Sequence, residues 1–597
     1  RGSQVPRSPG GMSASAAPSA AAPATAAAAG ALAAGGGSPG VAAPPAQTAS
    51  SPGASSATSA ASPASASPAK PGTPIKFGIS EPVSLSEPTE HDILLSQRMA
   101  EELETEFPEE TPEAMAHRES VLKELDSLCA EWVVEMGIKE GKTLDEARRS
   151  VIKVLTLGSY RLGVVHTDSD IDTLCVGPPY VSREAFFTIF VDKLKQRPSV
   201  SACVPILDAF TPFIKLKMLG VSIDLLFAKL ARPLDESRLS AGQDREELLK
   251  EDDVLKNMDE KSVRSLNGYR VADQILQLVP NQEAFRQTLR FVKCWARRRG
   301  IYSNVLGFFG GITWALLVAR VCQLYPYYSP SQLVNRFFRV YDQWSWSRPV
   351  MLCDIVDASS VPGMSGVKVW NPKANPADRL HLMPVITPAF PAMNSTYNVT
   401  ETTKRILLDE FKRGYDVVKT VELQKTGWNE VYEPIPFFAS FKHFLWLEVL
   451  ATTEEVYLKF SLWVDSKLRT LMKQLDIFRG MIMYPNPEHH ILRETDARWP
   501  LGCGIFIALG FYKDQGAFLG QIIDLRPALS LFVEVISQWP EKDLHPGSFL
   551  LRLTRVEAQN LPKYATDSEA EKKRPRAERC QIVAEEKTKK AKVPNGT

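Results

Sequence analysis

Apolar positions recur at helical spacing from Glu113 to Met136, where Met115, Val121, Leu122, Leu125 and Leu128 share one side. Thr111 is placed to cap this helix, with Pro112 in its first turn. An earlier helix is expected from about Glu90, after the turn Ser86-Glu87-Pro88-Thr89. The pattern then turns β-like. Val151–Leu157 is short and rich in branched residues, and Ile171–Val176 reads as a strand. Ser182 opens a helix running to about Lys195. Phe213–Met218 and Val221–Ala228 read as strands joined by a turn at Gly220. From about Asp244 to Lys425 the pattern is mainly helical, with an amphipathic, cation-rich stretch at Phe285–Arg299. An α+β pattern follows from Trp428 to Val556, with a helix near Glu454–Leu475 and strands near Ile505–Phe511 and Phe549–Val556.

The ends differ in composition. Residues 1–72 are Ala, Ser, Pro and Gly with almost no aromatic or branched apolar residue, too little apolar surface to offset chain entropy. From about Ala565 the chain is charged, with Lys572-Lys573-Arg574-Pro575-Arg576 and then Lys587, Lys589, Lys590 and Lys592. Such a cluster reads as a nuclear import signal or polyanion patch. Five segments result: a low-complexity arm (1–72), a first α+β unit (73–243), a helical unit (244–427), a second α+β unit (428–564) and a basic tail (565–597). The fold class is α+β multidomain.

A net charge of +1 predicts no global pull on polyanions, so any nucleic-acid contact must be local. The eight cysteines are scattered without zinc spacing, which fits free thiols. The apolar run Val305–Cys322 is interrupted by Arg320 and begins with an irregular Gly307-Phe308-Phe309-Gly310-Gly311. It reads as a loop entering a buried helix, so no membrane association is expected.

The chemistry concentrates on three carboxylates. Asp170 and Asp172 are two residues apart on an expected strand, so both face one side, and Ile171 and Thr173 face the other. Asp224 lies inside the apolar strand Ser222-Ile223-Asp224-Leu225-Leu226-Phe227, where a carboxylate is costly without compensation. Side by side, the two strands would bring three carboxylates together, as a two-metal phosphoryl-transfer site requires. Upstream, the Gly158-Ser159 turn can offer backbone N–H groups to phosphate. Asp168 reads as an exposed loop residue.

A Gly-Ser turn about ten residues before Asp-x-Asp, followed by a strand Asp, resembles the DNA polymerase beta-like nucleotidyltransferases. Gly158-Ser159-Tyr160-Arg161-Leu162-Gly163 with Asp170-Ile171-Asp172-Thr173-Leu174-Cys175-Val176 more narrowly resembles the eukaryotic nuclear poly(A) polymerases. Arg264-Ser265-Leu266-Asn267-Gly268, Ile301-Tyr302-Ser303-Asn304, Gly307-Phe308-Phe309-Gly310-Gly311, His381-Leu382-Met383-Pro384 and Asn394-Ser395-Thr396-Tyr397-Asn398-Val399 follow in that family's order. The resemblance runs from about Phe77 to Thr554.

It implies a nucleotidyltransferase palm with a mixed sheet, a helical middle domain and a C-terminal domain like an RNA recognition motif. It implies Mg²⁺- or Mn²⁺-dependent transfer of AMP from ATP to an RNA 3′ end, with pyrophosphate released. By resemblance, Asp170, Asp172 and Asp224 hold metal, and Gly158 and Ser159 grip the triphosphate. Lys293, Arg297 and Tyr302 reach the phosphates, Asn267 contacts the nucleotide, and Gly311 and Ile312 lie against adenine. Arg297 stands where the family commonly has Lys, and Leu157 where it often has Phe. Between His166 and Thr167, either fits the remaining substrate contact, with Thr167 preferred. Asn267 before Gly268 also fits simple turn chemistry. Lys442 and His443, in Phe441-Lys442-His443-Phe444, are candidates for RNA contact. A monomer in the nucleus, recruited by cleavage and polyadenylation factors, is the expected setting. The alternatives are another terminal nucleotidyltransferase (uridylyltransferase or CCA-adding) and a non-catalytic RNA-binding scaffold.

Overall fold

The computed structural model describes residues 76–572, apart from 168, 208, 210, 365, 479–480, 493–496 and 512–522. The low-complexity arm, Asp168 and the basic cluster beyond Lys572 lie outside the described residues.

Sequence alternation builds the first sheet. Its strands are β1 (Leu155–Thr156), β2 (Ile171–Gly177), β3 (Val200–Ile206), β4 (Phe213–Met218) and β5 (Val221–Lys229), in the order β1-β2-β5-β4-β3. Only β2 and β5 run parallel; the other pairs are antiparallel. Side chains alternate across a strand, and each face of this sheet has its own core. Ile171, Cys175, Ile223, Leu225 and Phe227 pack with Leu125 and Trp132 of the Pro112–Lys139 helix. On the other face, Leu174, Val176 and Ala228 pack with Leu266 and Tyr269 of the Glu260–Leu278 helix. Asp172 and Asp224 share parity with this second face, so they point toward the helical region. The half-exposed β3 has no clear alternation, which is why it is illegible in sequence.

The helix starts follow from capping side chains. Thr89 and Asp92 form a reciprocal box at Glu90–Glu106, and the Thr111 hydroxyl accepts from the Ala114 amide. The helix expected from Ser182 is not uniform. Ser182 caps Arg183–Ala185, a wider π turn spans Phe186–Phe190, and α-helix resumes at Val191–Lys195.

The middle region packs the helices Gln282–Arg298, Gly311–Leu324, Pro330–Asp342 and Glu401–Glu422 around aromatic rings. Trp295 meets Trp314, Phe337, Phe338 and Phe411 with centroids 4.8–6.0 Å apart. The apolar run becomes the buried Gly311–Leu324 helix, as its composition indicated. Among the described residues, no helix is long and apolar enough to cross a membrane. Arg299 joins this core to the linker beyond it. Its guanidinium donates two 2.8 Å hydrogen bonds to Glu410 and one of 2.7 Å to the Glu433 carbonyl.

The C-terminal region contains β6 (His443–Ala451), β7 (Met481–Pro485), β8 (His490–Ile491), β9 (Leu501–Phe511) and β10 (Phe549–Glu557). Its sheet runs β10-β6-β9-β7, with β8 on β9 and every pair antiparallel. The helices Glu454–Leu475 and Arg526–Ser537 interleave with these strands as in a β-α-β-β-α-β unit. Phe444, Phe506 and Val556 lie on one sheet face, covered by Phe438 and by Ala565 of the Lys563–Lys572 helix. The charged tail read from residue 565 thus begins as a helix docked on the sheet.

Arg299 and Glu410 are both buried, so truncating one partner strands a charge. Glu410→Ala is expected to destabilise the protein by about 3–5 kcal/mol, whereas the double change Arg299→Met/Glu410→Leu costs far less. Denaturant unfolding followed by Trp fluorescence measures both.

Candidate active site

Strand register assembles the carboxylates. Asp172 on β2 sits directly beside Asp224 on β5, and Asp224 sits beside Lys215 on β4. Asp170 immediately precedes β2. The Lys215 ammonium lies 3.2 Å from Asp170 Oδ2 and 3.4 Å from Asp224 Oδ1, bridging two of the three carboxylates. Burial pushes the Asp172 carboxyl up to about 7; the charges of Asp224 and Asp170 add to the push, against Lys293 and Lys215. Burial also raises Asp224, with Lys215 opposing.

The Gly-Ser turn is fitted against this row. The Leu157 amide donates to the Asp172 carbonyl at 3.0 Å, and a short helix, Gly158–Leu162, starts at the next residue. Gly158 has φ +59°, and a Cβ there would stand 2.2 Å from Asp172 Oδ2. Glycine is therefore required twice, by backbone conformation and by the carboxylate against it.

Residues of the helical region close the other side. Lys293 is buried and donates to the Val164 carbonyl at 3.0 Å. Burial lowers its ammonium to about 7, with Arg297 adding to this and Asp172 opposing. The Arg297 guanidinium lies between two rings, 5.1 Å from the Tyr302 centroid and 5.8 Å from that of Phe107. A Cβ on Gly311 would meet the Tyr302 hydroxyl at 2.6 Å, so Tyr302 rests against the start of the Gly311–Leu324 helix.

These groups line one cavity of about 440 Å³. Asp170, Asp172 and Asp224 form its acidic wall, next to Gly158 and Ser159. Lys293, Arg297, Tyr302, Gly311 and Ile312 face them. Among the described residues, no three ligating side chains already form a closed coordination set. The Lys215 ammonium lies between Asp170 and Asp224. The fit to a divalent cation is good: two part-buried, mutually repelling carboxylates are held beside a third, and a side-chain cation stands in where positive charge is needed.

Three family models match successive parts of the chain. The poly(A) polymerase nucleotidyltransferase domain matches residues 78–279, the central domain 284–434 and the predicted RNA binding domain 436–490. The chain belongs to the poly(A) polymerase family. Nuclear poly(A) polymerase 1 of Arabidopsis thaliana is 41% identical over 78% of this chain and 63% of its own length. Poly(A) polymerase of Dictyostelium discoideum is 38% identical over 83% of this chain and 60% of its own. The chain thus spans about three-fifths of these relatives. A solved structure of a cytoplasmic RNA terminal U-transferase aligns at 14% identity and TM-score 0.37, over 58% of this chain and 99% of that one; so low a score adds nothing to the assignment.

Five singled-out residues stand apart from the cavity lining. Thr167 is exposed, and its carbonyl accepts from Arg118. His166 stacks on Phe107 with centroids 4.0 Å apart. Asn267 lies within the Glu260–Leu278 helix rather than in a turn; it donates to the Pro391 carbonyl and accepts from Arg270. Lys442 and His443 lie at the start of β6, where Lys442 is exposed and His443 contacts Arg555 at 3.2 Å.

Two residues at the site escaped the sequence reading. Lys215 could have been found from the hairpin, since a turn at Leu219–Gly220 pairs position 215 with 224. Arg118 holds the segment leading to Asp170, donating to the Thr167 carbonyl at 3.1 Å and the Ser169 carbonyl at 2.9 Å. It also pairs with Glu110 at 3.0 Å. Its signal was a cation on the apolar stripe that continues through Val121, Leu125 and Leu128.

Gly158→Ala is expected to weaken binding of ATP with Mg²⁺ at least about tenfold by calorimetry, with circular dichroism unchanged. Arg118→Ala is expected to speed amide exchange across residues 164–170, read by hydrogen-exchange mass spectrometry, because two carbonyl anchors are lost.

Proposed function

We propose that this chain adds AMP from ATP to the 3′ end of RNA without a template, releasing pyrophosphate. The observation that carries this reading is the acidic wall of Asp170, Asp172 and Asp224, with Asp172 and Asp224 held side by side by strand register, facing Lys293, Arg297 and Tyr302 across one cavity. Family membership selects adenylyl transfer to RNA among the reactions such a cavity supports.

Asp170, Asp172 and Asp224 would hold divalent cations, Mg²⁺ or Mn²⁺, which supply Lewis-acid charge to phosphate oxygens and ease ionisation of an attacking hydroxyl. The remaining work falls to the protein. The amides opening the Gly158–Leu162 helix point positive partial charge at the triphosphate, beside the Ser159 hydroxyl. Lys293 and Arg297 offset negative charge on the leaving pyrophosphate. Lys293 needs its proton for this, and an incoming triphosphate favours the charged ammonium that burial disfavours. Gly311 and Ile312 present a flat, small surface to a base. With cations held by the three carboxylates, the Lys215 ammonium would be free to serve as a positive group for the RNA end.

Single-stranded RNA is proposed to enter along the C-terminal domain, with Lys442 and His443 at its edge. The aromatic sheet face is covered by the Lys563–Lys572 helix, so stacking across the open sheet is not the mode this reading uses. The nucleus is the proposed compartment, in keeping with the relatives' names.

Purified protein with an oligoadenylate primer, Mg²⁺ and each of the four nucleotides tests the proposal. ATP is expected to extend the primer, and Asp172→Ala to cut the rate by ~10³-fold or more, the scale on which charge-stabilising groups act in phosphoryl transfer. Equal extension with UTP, or an active Asp172→Ala protein, would overturn it.

A further inference from the structure

At the far end of β2 and β5 the palm has a second concavity that the adenylyl-transfer reading does not use. Pro178 follows β2 and Leu230 follows β5, so this end lies roughly 20 Å along the strand from Asp172, at about 3.3 Å per residue. A cavity of about 290 Å³ opens there. Ile152, Pro178, Tyr180, Leu230 and Leu239 give it an apolar floor. A neighbouring cavity of about 260 Å³ shares Arg232, Pro233 and Leu234 with it but is lined by Asp235, Glu251 and Asp253, so the basic groove is the first cavity alone.

The rim is basic. Lys142, Arg149, Arg232 and Arg245 line the first cavity against a single carboxylate, Glu236. Arg232 pairs with Asp253. Among the described residues, the other three cations have no carboxylate within ion-pair distance. The Lys142 ammonium lies 5.3 Å from the Tyr180 ring centre, and Arg245 donates to the Arg149 carbonyl at 3.2 Å. Glu146, on the same short helix as Arg149, is engaged in capping and accepts from the Thr143 amide and hydroxyl at 2.8 Å.

We propose that this groove binds a linear acidic segment of a partner protein. One or two apolar side chains would enter the cavity, and flanking carboxylates would meet Lys142, Arg149 and Arg245. Charge argues against two segments of this chain as occupants: residues 1–75 contain no Asp or Glu, and residues 573–597 carry eight Lys or Arg against three Glu. A nucleic-acid strand fits less well. Tyr180 is the one ring lining the cavity, and Lys142 already lies over it, so no free platform remains for a base. An apolar floor rimmed by Lys142, Arg149 and Arg245 matches a peptide that offers both apolar and acidic groups.

The test uses the full chain and a fluorescein-labelled 12-residue peptide alternating Glu pairs with Leu or Phe, read by anisotropy at 0.15 M salt. Saturable binding is expected. Lys142→Glu/Arg149→Glu should weaken it at least tenfold, with an unchanged melting curve and unchanged primer extension. Replacing Leu and Phe of the peptide by Ser should weaken it comparably. No saturable binding, equal binding by the variant, or equal binding of the Ser peptide overturns the proposal. Displacement by an equimolar 12-nucleotide oligoadenylate also overturns it, assigning the groove to nucleic acid. Primer extension is read separately, so failure here leaves the adenylyl-transfer reading untouched.

Discussion

Repulsion between carboxylates that the backbone forces together organises this molecule. Asp172 and Asp224 are register partners on parallel strands, and Asp170 stands one step before the first of them. Three negative charges in a part-buried row are stable only with positive charge among them. Lys215 supplies some of it from the neighbouring strand. The lysine and arginine of the Gln282–Arg298 helix supply more from across the cavity. A site in such balance is suited to polyanionic phosphate with its counter-cations, since both partners relieve charges already held at a cost.

The same need explains how the helical region is tied to the palm. Lys293 binds the Val164 carbonyl, Arg286 the Leu162 carbonyl, and Arg161 reaches back to Asp273 at 2.6 Å. The Gly-Ser turn is therefore gripped from the Glu260–Leu278 and Gln282–Arg298 helices as well as from β2. Arg118 completes the arrangement from the opposite side of the sheet by fixing the carbonyls before Asp170. Charged side chains bonded to main-chain carbonyls hold the loop without adding carboxylates to a site that already has three.

The C-terminal domain uses the strand order of an RNA recognition motif but treats its sheet differently. Phe444 and Phe506 face a layer made by Phe438 and the Lys563–Lys572 helix. Aromatic rings that could stack on bases instead form a core. Cations at the domain edge and in the cleft beside it are left as the groups available to a polyanion.

Much of this was legible along the chain. Runs rich in β-formers gave the spans of β2, β4 and β5, the turn ending at Thr89 and the Thr111 cap gave helix starts, and the Gly-Ser and Asp-x-Asp spacing with Asp224 pointed to the acidic wall. These features are local: a strand's period or a cap depends on residues a few positions apart. Three things were decided only by tertiary structure. Lys215 enters the carboxylate row because β4 is the next strand over. Asn267 turns away toward Pro391 because its helix packs behind the Gly-Ser turn. His166 leaves the cavity because Phe107, 59 positions earlier, offers a ring to stack on. Each outcome depends on a partner distant in sequence, and side-chain direction there is set by packing rather than by the order of residues.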